Sequence, residues 1–586
     1  MALTPLTIPL GIKRAAHLLR RVTFGADKNE IREFSLLTPQ EAITRIFNQN
    51  IPDAPLPIDS ETGEEWVISG RTDANSEEST LQEFFRRWLI GQALRKQDLA
   101  SDVRIGYNVR EKLTFFMHTH FTTKVSKVNS SRALYFQNQL FRLFTFDDTV
   151  DEWRNFKELT KKICVDNAML QFLDGRQNVS GNPNENFGRE LQELYSIGRG
   201  LEGTLPVDND PGDYVNYTEH DVQEAARVLS GFTIDDTFST LDEDTGLPRG
   251  IARGGGGVGA IATAHDNDEK KFSFRYNFNE ISPKPELIPT GEPTEESALE
   301  EISQLVDMIF DMPETARNIC RKLYRFYTYY DITEEINDSV IEEMAQAFIS
   351  NGFRIQPVLT LLFTSTYFYE GDDGTEDDQF GAIIKSPMDL VVGTMRNFNI
   401  AYPDYSTDTE AFYEFTGWLV NVMRSQGMSI YEPFEVAGYS AYHQFPIYNR
   451  SWISTNYLAN RYDFIREVVS GGMMPGMNNF AVFDYISIYF GSVAENARTL
   501  VEELTKVLLP MHESLSYDDT LDDDSELTAP RLNYFLFAFL YSPQLDADPE
   551  STWTTRWNTL MEKDVMVSQL ENLVNAMLQS PEYQLA

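Results

Sequence analysis

The sequence predicts an all-α protein, or nearly so, in which two or three packed helical units accompany a small β-hairpin and loop insertion. Apolar residues recur at spacings of three and four through most of the 586 residues, which is the period of helices that bury one face. Helix start signals agree, since Thr38 precedes Pro39, and Thr218 stands three residues before Asp221. The length indicates more than one unit, because single cores stop growing at about 250–300 residues.

The predicted units follow one another along the chain. Residues 1–232 form an N-terminal helical unit that carries the His-Thr-His and Asn-Glu-Asn segments. Residues 233–290 contain a glycine run and the alternating segment KKFSFRYNF, and they predict a β-hairpin with long loops. Residues 291–400 and 401–586 are expected to form a central and a C-terminal helical unit.

The composition is strongly acidic. The chain has 90 acidic and 49 basic residues and a formal net charge of −41. Such a surface repels phosphate backbones and anionic lipids, so nucleic-acid binding and membrane-surface binding are disfavoured. It suits cations or cationic partners, and the alternative is simply a well-solvated surface.

The cysteines and the apolar segments say little about the cellular location of the protein. Cys164 and Cys320 cannot form a disulfide framework, and we expect two buried thiols rather than one bridge. We expect no transmembrane segment, because no window approaches about 18 apolar residues. With no signal peptide visible, a cytoplasmic location is the default. The alternative is a periplasmic, cell-surface or secreted protein, after partner-assisted export or removal of a leader.

His118 and His120 form the sharpest metal-like signal, because imidazole is the commonest ligand of transition metals. On a continuous helix, however, residues two apart point about 200° from each other. Joint ligation would need the helix to end at residues 116–118. The alternative is that one imidazole packs in the core while the other bonds a backbone carbonyl.

Glu190 and Glu193 have the spacing with which helical metal sites project two carboxylates inward. We therefore consider a divalent metal held by these carboxylates together with His118 and His120. The alternative is a purely structural network between helices.

Five neighbouring polar residues belong to that network or surround the metal. Asn184 and Asn186 are expected to cap a helix start, and Arg189 is expected to pair with Glu185 one turn away. Arg110 lies in an apolar helix and is expected to pair with a carboxylate.

Three acidic loops, at 207–213, 370–378 and 517–526, offer clustered carboxylates. Calcium takes six to eight oxygen ligands, so it is a candidate cofactor there. None of the loops has the EF-hand spacing, and solvated loops are the alternative.

The tract 439–452 is rich in aromatic residues and includes Tyr439, Tyr442, His443 and Trp452. Rigid rings with polar tips suit a pocket for a carbohydrate or peptide. The same side chains would equally serve to hold the C-terminal helices together. The sequence contains no GxSxG, HExxH, Walker A or CxxC motif, so common hydrolase, protease and nucleotide-binding templates find no support.

Recognisable segments lie along nearly the whole chain, among them AAHLLRRVTFG (15–25), REKLTFFMHTHFTT (110–123), YTEHDVQEAARVLSGF (217–232) and LQSPEYQ (578–584). Together these segments resemble the bacterial family catalogued as domain of unknown function 1800. The resemblance implies an α-rich fold with no established activity. It also implies frequent genomic pairing with a second family, number 1501, which is similar to sulfatase-like proteins and often carries an export signal.

The chain departs from the family pattern where histidines are usual. Tyr195 and Met312 stand at two such positions, and a His-Asp pair of the central loop is expected to be replaced near Tyr276 and Asn277. These losses favour a non-catalytic scaffold or partner subunit of an envelope or secreted assembly, bound to a protein of the paired family or to itself. The alternative is a metal-dependent enzyme, a hydrolase, in which His118, His120, Glu190 and Glu193 hold the ion.

Overall fold

The computed structural model confirms a mostly α-helical fold. It describes residues 2–47, 50–146, 151–205, 210–254, 261–370, 383–472, 475, 480–510, 515–518, 527–542 and 546–586. The acidic loops considered for calcium lie largely outside these residues, as does the glycine run after Gly254.

Helices fill most of the described chain before the insertion, and the periodic segments account for their positions. They are α1 (Gly11–Val22), α2 (Lys28–Ser35), α3 (Pro39–Ile46), α4 (Glu78–Leu94), α5 (Arg104–His120), α6 (Val125–Val128), α7 (Ser131–Leu143), α8 (Phe156–Ile163), α9 (Asn167–Phe172), α10 (Glu185–Glu193) and α11 (Glu219–Val228). Thr38 caps α3 and Thr218 caps α11, each in a reciprocal capping box as the start signals predicted.

The insertion contains two short antiparallel strand pairs. Strand β1 (Phe232–Thr233) pairs with β2 (Ile251–Ala252), and β3 (Lys270–Lys271) pairs with β4 (Glu280–Ile281). The alternating segment forms much less strand than its pattern suggested, because its second half turns into a 3₁₀ helix at Phe274–Tyr276.

After the insertion the described chain is again helical. It forms α12 (Glu295–Phe310), α13 (Pro313–Tyr327), α14 (Glu334–Ile336), α15 (Glu342–Ser350), α16 (Ile355–Phe363), α17 (Thr366–Glu370), α18 (Pro387–Asn397), α19 (Thr409–Ser425), α20 (Ser440–His443), α21 (Thr455–Val469), α22 (Val482–Tyr489), α23 (Ala497–Leu508), α24 (Ala529–Leu540), α25 (Pro549–Thr559) and α26 (Lys563–Leu578).

One contiguous hydrophobic core extends from Leu3 to Tyr583 and joins helices from all parts of the chain. The turn after α1 fits against α18 only because both contact positions are glycine. A Cβ on Gly25, whose φ is +152°, would lie 2.8 Å from the Cα of Gly393. The division into separate helical units stays a prediction. Residues from each of the predicted ranges contribute to this core.

The cysteines and the helices match two further expectations. Cys164 and Cys320 are free and buried, and burial raises the pKa of Cys164 to about 12. Within the described residues, every helix is too short or too polar to cross a bilayer.

Candidate functional site

Helix α5 continues to His120, so the early helix end needed for joint metal ligation does not occur. The two imidazoles accordingly point to different sides of the helix. His118 lines a cavity of about 30 Å³, whereas His120 lines a separate cavity of about 40 Å³.

His118 is buried against an aromatic side chain. Its ring stacks on Tyr431 with a centroid distance of 3.6 Å and an interplanar angle of 9°. Neither ring nitrogen has a hydrogen-bond partner among the described residues, although Glu111 and Asn138 line the same cavity. Burial lowers the pKa of His118 to about 3, so the imidazole is neutral at physiological pH.

His120 binds the backbone just after α10. Its Nε2 lies 3.0 Å from the carbonyl oxygen of Tyr195, so this nitrogen carries the hydrogen and donates it. Lys322 Nζ donates to the neighbouring carbonyl of Leu194. These carbonyls lie at a helix C-terminus, where they lack intrahelical donors, and the two side chains satisfy them. Burial, and then the charge of Lys322, hold the pKa of His120 well below its ordinary value.

Of the two proposed glutamate ligands on α10, Glu193 binds other side chains and Glu190 has a raised pKa. Glu193 accepts hydrogen bonds from Tyr217 at 2.9 Å and from Arg199 at 2.8 Å. Burial, and then the charge of Glu193, raise the pKa of Glu190 to about 7.

These side chains do not converge on one centre. Within the part of the chain that the structure describes, no three histidine, cysteine, aspartate or glutamate side chains are arranged to hold one metal ion. The four proposed ligands are therefore not brought together. Metal binding and the hydrolase activity built on it stay predictions, which elemental analysis of the purified protein tests.

The arginine of α10 corrects one expectation. Arg189 pairs with Glu219, at 2.7 and 3.0 Å, and not with Glu185. Glu219 is the first residue of α11, which packs against α10 and presents its carboxylate to the guanidinium. Asn184 caps α10 as expected and accepts a hydrogen bond from the backbone of Asn186 at 3.0 Å.

Arg110 lies beside a buried carboxylate, as its place in an apolar helix indicated. Its Nε is 3.4 Å from Glu111, and its Nη2 donates to the carbonyl of Pro52 at 3.0 Å. Arg142 binds the same carboxylate through two nitrogens. Burial alone would raise the pKa of Glu111, but the adjacent guanidinium of Arg142 lowers it below its ordinary value.

The aromatic tract serves mainly as packing. Tyr439 and Trp452 are buried, whereas Tyr442 and His443 are half-buried and line the cavity of His120. That cavity, about 40 Å³, has room for water but is too small for a sugar or a peptide. In this structure the tract therefore packs the C-terminal segment against α5 and α13.

The comparisons with known proteins agree with the resemblance seen in the sequence. The family model described as "protein of unknown function (DUF1800)" matches residues 17–585. The chain is a DUF1800 protein. Neither the search of curated proteins nor that of solved structures found a match.

Sequence reasoning missed a buried charged cluster in the insertion of this DUF1800 protein. Lys270 Nζ donates to Glu301, and His265 Nε2 lies 3.4 Å from the same carboxylate oxygen. All three side chains are fully buried. The signal was a His-Asp pair at His265 and Asp266, eleven residues before the position where such a pair was expected to be replaced.

Proposed function

We propose that this DUF1800 protein is a non-catalytic partner subunit that binds a second protein through the outer face of α24. The observation that carries the proposal is an aromatic stripe on that face. Tyr534, Phe537 and Tyr541 are 50%, 71% and 56% exposed, although such rings are normally buried. Their spacing of three and four residues directs them to one side of the helix.

The stripe forms one wall of a groove between α24 and α26. The groove has a volume of about 590 Å³. Apolar, amide and a few other polar side chains line the rest of it, namely Arg531, Ala538, Asn572, Asn575, Ala576, Gln579, Ser580 and Pro581. An apolar centre with a polar rim is the usual anatomy of a protein interface, and a groove between two helices suits an amphipathic helix from the partner.

The charge of the chain indicates the character of the partner. A molecule with a formal net charge of −41 associates fastest with a cationic surface. The partner that we propose is a protein of family 1501, because the family resemblance implies frequent genomic pairing with that family. Since proteins of that family often carry an export signal, the complex would belong to an envelope or secreted assembly.

The test is a binding measurement between the two purified proteins. Burying an exposed phenylalanine contributes about 1.5–3 kcal/mol, so Phe537→Ser should weaken the complex by about 10- to 100-fold. Phe274→Ser is the matched control, because Phe274 is also an exposed phenylalanine, at 53%, but lies in the insertion. Circular dichroism checks that both variants keep their helix content.

Two results would overturn the proposal. One is the absence of a complex between the two proteins at concentrations of about 100 μM, far above the range of stable assemblies. The other is equal weakening by Phe537→Ser and by Phe274→Ser, which would show that the α24 groove has no specific part in the contact.

A further inference from the structure

A second surface cleft, between α1, α2 and α23, has the opposite charge to the rest of the molecule. It has a volume of about 430 Å³ and is lined by four cations, Lys13, Lys28, Arg32 and Lys506. Among the lining residues that the structure describes, Glu503 is the one carboxylate. A volume of this size lies within the range of small-molecule sites.

The positive charges of the cleft exceed what its own carboxylate balances. Glu503 pairs with Lys506 at 2.9 Å and lies 3.5 Å from Arg32. Lys28 is 1% exposed, donates to the carbonyl of Tyr489 at 3.0 Å and sits over a phenylalanine ring. Among the described residues, its amine therefore has no carboxylate within ion-pair distance.

Burial and the neighbouring charge both act on the amine of Lys28. Burial, and then the charge of Arg32, lower the pKa of Lys28 to about 8. An anion in the cleft would offset the repulsion, because it would stand close to the cations in a partly desolvated place.

We propose that this cleft binds a small organic anion that carries two or more phosphate or carboxylate groups on an apolar body. The four cations receive the anionic groups, and Ile12, Ile31 and Val507 in the wall pack against the apolar body. This site is independent of the α24 groove.

The acidity of the whole chain restricts the ligand to a small one. Nucleic acid and acidic protein segments extend beyond the cleft, where a chain of net charge −41 repels them. A small anion stays within about one Debye length, roughly 8–10 Å, of the cleft cations.

Calorimetric titration of the full chain with pyrophosphate and with citrate tests the proposal. We expect at least one of them to bind with a Kd of about 1 mM or tighter at low ionic strength. Binding of pyrophosphate alone would identify phosphate as the preferred group, and binding of citrate alone would identify carboxylate.

Two variants and one control make the test specific. Arg32→Gln/Lys506→Gln removes two half-exposed cations and should weaken binding at least about tenfold. Lys284→Gln/Arg466→Gln removes the same two charge types from exposed ion pairs elsewhere and should leave the Kd unchanged. Glu503→Gln should tighten binding, because it removes the carboxylate that competes with the ligand.

The sign of the Glu503→Gln effect separates a ligand site from a structural ion-pair cluster. If these charges only stabilise the fold, that variant loses stability and shows no gain in affinity. Failure of both probes to bind, equal weakening by the control pair, or unchanged or weaker binding by Glu503→Gln would each overturn the proposal.

Discussion

Lys270→Met should destabilise the protein strongly, because it leaves the Glu301 carboxylate buried without its cation. Both side chains are 0% exposed. Lys270 lies in strand β3 and Glu301 in α12, so their ion pair ties the insertion to that helix. The same amine also donates to the backbone carbonyl of Asp266. The imidazole of His265 is the other group beside this carboxylate.

The size of the loss follows from the burial. Removing one partner of a buried ion pair costs about 3–5 kcal/mol, because the remaining charge has neither water nor a counterion. That is a large part of the 5–15 kcal/mol by which domains are typically stable. Replacing both groups by apolar ones of similar shape, in Lys270→Met/Glu301→Leu, should restore stability to within about 1–2 kcal/mol of the wild type.

Urea unfolding followed by tryptophan fluorescence measures these free energies. Lys284→Met is the matched control. Lys284 pairs with Glu300, which precedes Glu301 in α12, but the side chain of Lys284 is 46% exposed. Its loss should cost less than about 1 kcal/mol. The reasoning fails if Lys270→Met lowers the free energy of unfolding by no more than this control does. It also fails if the loss in the double variant equals the sum of the losses in Lys270→Met and Glu301→Leu.

Three further predictions concern single residues. In the wild type, the free energy of unfolding should fall between about pH 6.5 and pH 4, because the unfolded imidazole of His118 binds a proton that the folded one, with a pKa of about 3, does not. His118→Phe should reduce the slope of this fall by up to about 1.4 kcal/mol per pH unit. Urea titrations at several pH values check this. Glu190→Gln should stabilise the protein at pH 8 and not at pH 4, since a folded pKa of about 7 makes ionisation unfavourable above the unfolded value; lower stability at pH 8 would instead indicate that the carboxylate is needed in its charged form. Gly393→Ala should cost about 1–3 kcal/mol, measured by thermal unfolding, because its Cβ would lie 2.6 Å from the carbonyl oxygen of Phe24.

The helices could be predicted from the sequence because their causes are local. The period of apolar residues and the caps at Thr38 and Thr218 act within one or two turns, so a single chain segment contains the whole signal. The two sides taken by His118 and His120 also follow from local geometry, once α5 is known to continue through both.

Partner choice could not be predicted, because it depends on how the helices pack. Arg189 had a carboxylate one turn away, yet it binds Glu219, thirty residues further along the chain. The buried Lys270–Glu301 pair and the cleft cations are likewise brought together from separate elements. No spacing rule links such residues, since the sequence separation is set by the fold and not by a repeat.

The buried charges and the charges in the cleft differ in how completely they are neutralised within the chain. Lys96 binds two carboxylates, those of Asp27 and Glu30, and Arg142 holds Glu111 through two nitrogens. Such groups gain nothing from an added ligand, because their counterions are already in place.

The cleft at α1, α2 and α23 is the exception among the charged groups described above, since its four cations face one carboxylate. An anion that binds there would add favourable electrostatic free energy to that of the Glu503 ion pairs. Helix α23 also packs against α24, whose outer face carries the exposed aromatic stripe. Both surfaces depend on helices from the C-terminal part of the chain, and the cleft also needs α1 and α2 from its beginning. Binding studies on this protein therefore require the whole chain, because removal of either end would take away part of at least one surface.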